Sequence, residues 1–217
     1  MSMIITVAQQ KGGAGKTTLA AQLATTLLSM NRKVATVDTD PQASLTRWAE
    51  VRRETLGEDD RLHHLQAAGW RTAREVENLA KTHDYVIIDS PPHAETDARL
   101  AIRVADLLLI PVQPSPMDVW ATQATLDLAN AEKVPTLVIA NRVPPRSTMA
   151  EGIVSNLDEL GSDVARVQLG ARIAFAESML SGRGVVETHR LSSAADEITA
   201  LAREIIRRST AQHKRAA

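Results

Sequence analysis

Cysteine is absent from the 217 residues, which rules out disulfides, iron–sulfur clusters and thiolate zinc sites. Aromatic residues make up 2% of the chain, too few for a platform of stacked rings that would bind single-stranded nucleic acid. Long apolar runs are missing too. The most apolar one, Leu107-Leu108-Leu109-Ile110, is far too short to cross a bilayer. Neither sign of charge dominates, with 25 basic residues against 26 acidic ones, so no global field argues for a nucleic-acid partner. A strand-like run begins at Met3, which leaves no room for a secretory signal or transit peptide. The expectation is a soluble cytoplasmic protein. At this length, residues 1–217 fit one domain that buries most of the surface its unfolded chain exposes.

Strand and helix signals alternate along the whole chain, the pattern of a parallel sheet with crossover helices. Strands are expected over 3–8, 33–38, 61–66, 84–89, 106–112, 134–140 and 164–168. Helices are expected over 16–30, 43–55, 71–81, 95–103, 117–131, 148–159, 172–180 and 192–212. Runs such as Tyr85-Val86-Ile87-Ile88 suit strands buried on both faces. The fold class is therefore α/β: one doubly wound, mostly parallel sheet with helices on both faces. No internal repeat or linker divides it.

The chemistry begins at Lys11-Gly12-Gly13-Ala14-Gly15-Lys16-Thr17-Thr18. The stretch follows the apolar run Met3 to Ala8 and opens a helical run, Leu19 to Met30. Strand, glycine loop, helix is the context a phosphate-binding loop requires. Glycines let backbone N–H groups converge on phosphate oxygens, and the following helix aims its positive end at the same anion. Lys16 can reach the β- and γ-phosphates, and the Thr17 hydroxyl can ligate Mg²⁺. A nucleoside triphosphate is the expected ligand, with Lys11 through Thr18 around it.

Two further strand ends carry carboxylates. The second strand closes in Val37-Asp38-Thr39-Asp40-Pro41-Gln42 and the fourth in Ile87-Ile88-Asp89-Ser90-Pro91-Pro92. Residues just past strand carboxyl ends line the ligand crevice of an open α/β sheet. An apolar strand ending in Asp suits a Mg²⁺ ligand, Asp89. Asp40 reads either as a water-orienting carboxylate or as the cap of helix 43–55.

The loop departs from the general pattern, with Gln10 where a glycine is usual and a second lysine, Lys11, ahead of the glycines. K-G-G-x-G-K-T, D-x-D-P-Q and D-S-P-P together resemble the ParA/MinD superfamily of deviant Walker A ATPases. The run Leu107 to Asp118, with Gln113-Pro114-Ser115-Pro116, is most similar to the short plasmid-partition subgroup that lacks an N-terminal DNA-binding extension. The resemblance spans nearly the whole chain and implies ATP and Mg²⁺ as cofactors. It implies that Lys11 reaches the phosphates of a partner's nucleotide, so that ATP closes a homodimer. Catalytic roles then fall to Lys11, Lys16 and Asp40, and Mg²⁺ to Thr17 and Asp89 with Asp38 in support. The segment Ser90 to Asp97 would sense the γ-phosphate; His93 within it reads as solvated. Asn141 would hold the base together with the loop Gln168 to Arg172, which lacks the family's Ile-Pro.

The resemblance also implies nonspecific duplex DNA as a partner and association with the nucleoid. A ParB-like or small adaptor protein would stimulate hydrolysis. From 203 to 217 there are five basic residues and one acid, Glu204. At 100° per residue, Arg203, Arg207 and Lys214 share the face opposite Ile198, Leu201, Ala202 and Ile205. That stripe reads either as a DNA-phosphate contact or as a solvated helix end; family positions add Arg172 and Arg208. Asp118 suits a helix start, His63 and His64 read as structural, and Arg183 between two glycines is expected to approach the nucleotide. Two other functions remain open. A membrane-cycling ATPase needs a terminal helix with bulky apolar anchors, which Arg208 to Ala217 lack, so no stable membrane association is expected. A biosynthetic P-loop enzyme needs substrate-binding insertions, and the chain is compact.

Overall fold

A computed structural model describes residues 2–92, 95–145 and 162–216. In chain order the elements are β1 (Met3–Val7), α1 (Lys16–Ser29), β2 (Val34–Asp38), α2 (Ser44–Leu56), β3 (Leu62–Gln66), α3 (Arg71–Ala80) and β4 (Tyr85–Asp89). Then come α4 (Glu95–Arg103), β5 (Leu107–Val112), α5 (Pro116–Glu132), β6 (Thr136–Ala140), α6 (Ile173–Met179), α7 (Val185–Thr188) and α8 (Ser193–Ala216). The strands form one six-stranded sheet in the order β3-β2-β4-β1-β5-β6, and every pairing is parallel. The expected doubly wound α/β sheet is the observed one. Since β1 lies between β4 and β5, the loop after it opens where the strand order reverses, the usual place for a ligand crevice.

Burial follows from sheet position. β2, β4 and β5 are buried at every residue, because helices cover them on both faces. On one face Leu19, Leu23 and Leu27 of α1, Leu45 and Trp48 of α2, and Ile198, Leu201 and Ile205 of α8 pack against Ile5, Val7, Ile87 and Leu109. On the other, Val76 and Leu79 of α3 cover Val37 and Ile88, while Ile102 of α4 and Leu126 of α5 cover Leu108 and Ile110. Pro111 is tolerated inside β5 because the pairing with β1 ends at Leu109, leaving fewer ladder bonds there to lose.

Two expectations are corrected. The strand expected over 164–168 is an isolated bridge, Val138 to Val164. Val138 N–H donates to Asp163 and Ala165 N–H to Val138, and the next bond to β6 comes only at Leu169. Four residues that leave the ladder after one rung make no strand. Second, α7 falls in a stretch given to no element. It is too short to carry a periodicity and is held instead by Glu187, whose carboxylate accepts from Gly184 N–H at 2.9 Å. The helix expected over 148–159 lies outside the described residues.

The turn that precedes α7 locks the helices of one face together. Gly182 adopts φ +65°, and a Cβ there would stand 2.2 Å from the Arg52 amide nitrogen. Arg52 donates to the Gly182 carbonyl and makes two 2.8 Å hydrogen bonds to Glu187. Its guanidinium also lies 5.8 Å from the Trp48 ring centre. Gly182→Ala meets both a forbidden contact and a left-handed backbone. It should cost about 3 kcal/mol, read as a lowered urea midpoint with unchanged slope.

Candidate functional site

The loop after β1 is fixed from four sides. Lys16 Nζ reaches back to the Gln9 carbonyl at 3.0 Å. Gln113 Nε2 donates to the Gly13 carbonyl at 2.8 Å, Asn141 Nδ2 to the Ala14 carbonyl at 2.8 Å, and Leu19 N–H to the Gly15 carbonyl. The N–H groups of Gly13 to Thr18 find no acceptor among the described residues. Gly13 at φ +78° and Gly15 at φ +92° make the curvature possible. A Cβ on Gly15 would also come 2.6 Å from Asn141 Nδ2. The result is a concave run of donors at the start of α1, the geometry that takes a phosphate group.

Charged groups stand around it as the sequence implied. β2 and β4 pair so that Asp38 lies opposite Asp89. Thr17 Oγ1 donates to Asp89 Oδ2 at 2.6 Å, while Asp89 Oδ1 is buried without a hydrogen-bond partner. Burial pushes the Asp89 carboxyl up to about 7, against the Thr17 hydrogen bond. Burial likewise lowers Lys16, while Asp89 and Asp40 raise it. A hydroxyl, a carboxylate and an orphaned carboxylate oxygen are a donor set that fits Mg²⁺.

Asp38 is used differently. Its Oδ1 accepts from Asp40 N–H at 3.0 Å, and its Oδ2 accepts from Thr46 N–H at 2.8 Å and Thr46 Oγ1 at 3.0 Å. The buried carboxylate thus caps α2 and shapes the Asp40 turn. The capping role that the sequence offered to Asp40 belongs to Asp38. Asp40 spends one oxygen on Gln42 N–H at 2.9 Å; the other accepts nothing from the described residues.

Behind Asp38 stands His64, whose Nε2 is 3.1 Å from Thr46 Oγ1 and whose Nδ1 is 2.9 Å from Thr36 Oγ1. Thr46 gives its one hydroxyl hydrogen to Asp38, so His64 Nε2 must carry the proton and Nδ1 must accept from Thr36. His63 faces the other way, its ring 6.0 Å from that of His83. Both histidines are structural, as expected, though His64 braces the site from behind.

Lys11 forms an ion pair with Asp118 at the first turn of α5. Asp118 is 1% exposed, and its Oδ1 has no hydrogen-bond partner. The sequence marked Asp118 only as a helix-start acid, since 107 positions separate the pair. Gln113 and the Gln9 side chain, which meets Thr122 and Thr125 of α5, were missed for the same reason.

Asn141 is brought to the loop, but both ends of its amide are engaged, Nδ2 with Ala14 and Oδ1 with Arg142 N–H at 3.0 Å. It opens onto a cavity of about 340 Å³ lined by Gly15, Thr18, Leu19, Leu169, Phe175 and Ile198, with Arg142 and Arg172 at hand. The 168–172 loop therefore reaches the base end of the site without the proline. Arg183 does not: its carbonyl accepts from Trp48 Nε1, and its turn packs on α1 and α2. His93 lies outside the described residues.

The candidate DNA residues divide. Arg172 is paired with Glu197 at 2.7 Å, and Arg208 with Asp163 and Glu204. Arg203 and Arg207 are exposed and make no ion pair among the described residues. Lys214 is on the same helix, beyond the residues whose side chains are described. No helix among the described residues is long and apolar enough to cross a membrane.

Fold, glycine loop and strand-end carboxylates define a P-loop nucleotide-binding protein. Residues 5–186 match the CobQ/CobB/MinD/ParA nucleotide binding domain, and the chain belongs to that family. It is 29% identical over 209 residues to the maintenance of carboxysome distribution protein A of Halothiobacillus neapolitanus, covering 93% of this chain and 95% of that one. It is 32% identical over 185 residues to a ParA protein of Rhizobium radiobacter, with 80% of each covered. Among solved structures, an ATP complex of a Cyanothece McdA aspartate-to-alanine variant superposes with a TM-score of 0.76 at 20% identity, covering 94% of this chain and 96% of that one. The relatives are positioning and partitioning proteins.

Burial lowers the His64 imidazole from 6.5 to about 4. The unfolded chain therefore takes up the proton first, and stability is lost as pH falls from 6.5 toward 4. Asp89 acts in the opposite sense over much of that range. Urea unfolding across pH of wild type against His64→Gln isolates the histidine: the difference should shrink by acidification, with the variant's profile the flatter one.

Proposed function

We propose that this chain is a ParA-like positioning ATPase in which ATP closes a dimer across Lys11. The dimer binds nonspecific duplex DNA, and hydrolysis, stimulated by a ParB-like or small adaptor partner, releases it. The observation that carries the reading is the division of labour between two lysines. Lys16 is buried inside its own loop. Lys11 stands outside it, about a third exposed, held by Asp118. A lysine meant for its own nucleotide has no reason to lie on the outer side.

Within one subunit, Lys16 and the N–H groups of Gly13 to Thr18 bind the phosphate chain by position and charge. Mg²⁺ held by Thr17 and Asp89, with Asp38 behind them, would neutralise part of the phosphate charge. Asp40, with an oxygen to spare, orients the water that attacks the γ-phosphorus while the bond to the β-phosphate oxygen breaks. Lys11 leaves Asp118 for the partner's phosphates on dimerisation. No arginine among the described residues stands at the γ-phosphate end, so intrinsic turnover should be slow and the adaptor should raise it. Arg203 and Arg207 are the favoured DNA contacts, with Lys214 on the same helix; Arg172 and Arg208 would first have to leave their carboxylates. The protein would act in the cytoplasm on the nucleoid.

Binding to nonspecific duplex DNA in ATP, in ADP and without nucleotide tests the reading. Binding only with ATP is expected; binding under no condition by protein that holds ATP would turn the reading toward membranes or a small co-substrate. Two variants assign the parts. Lys11→Ala should bind ATP yet stay monomeric by light scattering, and a dimer would remove Lys11 from its role. Arg203→Glu with Arg207→Glu should cut DNA affinity at least tenfold and flatten its salt dependence while sparing ATP binding.

A further inference from the structure

Arg142 follows β6 and is one of the few residues other than glycine with a positive φ, +54°. That conformation is unfavourable for a residue with a side chain, and such outliers persist where the surroundings impose them. Here Arg142 N–H donates to Asn141 Oδ1 at 3.0 Å while the other end of the same amide holds the Ala14 carbonyl. One asparagine thus fixes both the phosphate loop and the backbone of the arginine beside it. The guanidinium lies against that loop, since a Cβ built on Gly15 would be 4.0 Å from Arg142 Nε. It lines the 340 Å³ cavity together with Gly15 and Thr18.

Arg142 has no carboxylate partner among the described residues. Its neighbour across the cavity, Arg172, is tied to Glu197, and Arg52, Arg99, Arg103 and Arg208 are each tied to an acid. A charged fork that keeps a strained backbone, faces a phosphate loop and lacks an anion of its own has the chemistry of a phosphate ligand.

We propose that Arg142 binds the nucleotide at the ribose end of its phosphate chain, on the α-phosphate. The assignment rests on the nucleotide reading above and adds a residue to it. Lys16 and Thr17 address the β- and γ-phosphates, and the cavity runs from Gly15 and Thr18 toward Leu169 and Phe175. Arg142 stands between those two ends.

Calorimetric titration of ATP, ADP and adenosine into wild type, Arg142→Ala, Arg142→Lys and Arg142→Gly tests it. Arg142→Ala should bind ATP and ADP about tenfold more weakly and adenosine as wild type does. Arg142→Lys should recover most of the loss. Arg142→Gly should bind as poorly as Arg142→Ala, yet its ligand-free form should melt higher, because glycine accepts the left-handed backbone; it also carries the test should Arg142→Ala fail to fold. Wild-type ATP affinity in Arg142→Ala or Arg142→Gly overturns the proposal, as does an equal loss for adenosine. Wild-type protein that binds no ATP would overturn the nucleotide reading itself, a different failure.

Discussion

A phosphate loop must leave its N–H groups unpaired and convergent, and that is possible only if its carbonyls are held by something else. In this chain Lys16 takes the Gln9 carbonyl, Gln113 that of Gly13 and Asn141 that of Ala14. The donors come from α1, the end of β5 and the end of β6, so three parts of the sheet edge have to be in place before the loop has one shape. Buried backbone groups without partners are costly. Spending side chains on the carbonyls turns that cost into orientation, because the N–H groups then face the open side at the start of α1.

The same edge gathers charge in a way that burial makes unstable alone. Asp89 is held toward its protonated form and Lys16 toward its neutral one, both by desolvation. Each is drawn back by the other's charge, but neither fully. A phosphate chain with its metal supplies a cation for Asp89 and anionic oxygens for Lys16 at once. Asp38 escapes this tension because its two oxygens accept three local hydrogen bonds, with His64 and Thr36 extending the chain behind Thr46. The carboxylate nearest the metal site in sequence pattern is thus a rigid support for Asp40.

What could be read from the sequence, and what could not, follows from the range of each signal. The strands at Met3, Val34, Tyr85 and Leu107 are continuous apolar runs, and the loop Lys11 to Thr18 is local, so both were legible. Asp118 was seen as a helix-start acid, yet its meeting with Lys11 spans 107 positions and depends on β5 lying beside β1. Asn141 was placed at the nucleotide correctly, but its work on the Ala14 carbonyl leaves no trace in the spacing. α7 escaped because four residues cannot show a period. The run 164–168 has strand-like composition and fails as a strand because the chain touches β6 only at Val164 before turning away.

Surface charge shows the same limit from another side. Counting cations over 203–217 gives a basic tail, and position on the helix gives a stripe, yet neither tells which cations are available. Arg208 lies close to Arg207 in sequence but is folded onto Asp163 and Glu204, and Arg172 is folded onto Glu197 at the cavity rim. For either to meet a phosphate on DNA it must give up a charge-assisted hydrogen bond, which offsets much of what the new contact contributes. Arg203 and Arg207 carry no such cost, and Glu204, the acid between them, is turned inward to Arg208 and the Arg166 amide. The one acid of the tail therefore does not neutralise the exposed stripe. It clears that stripe by holding Arg208 to the body of the protein.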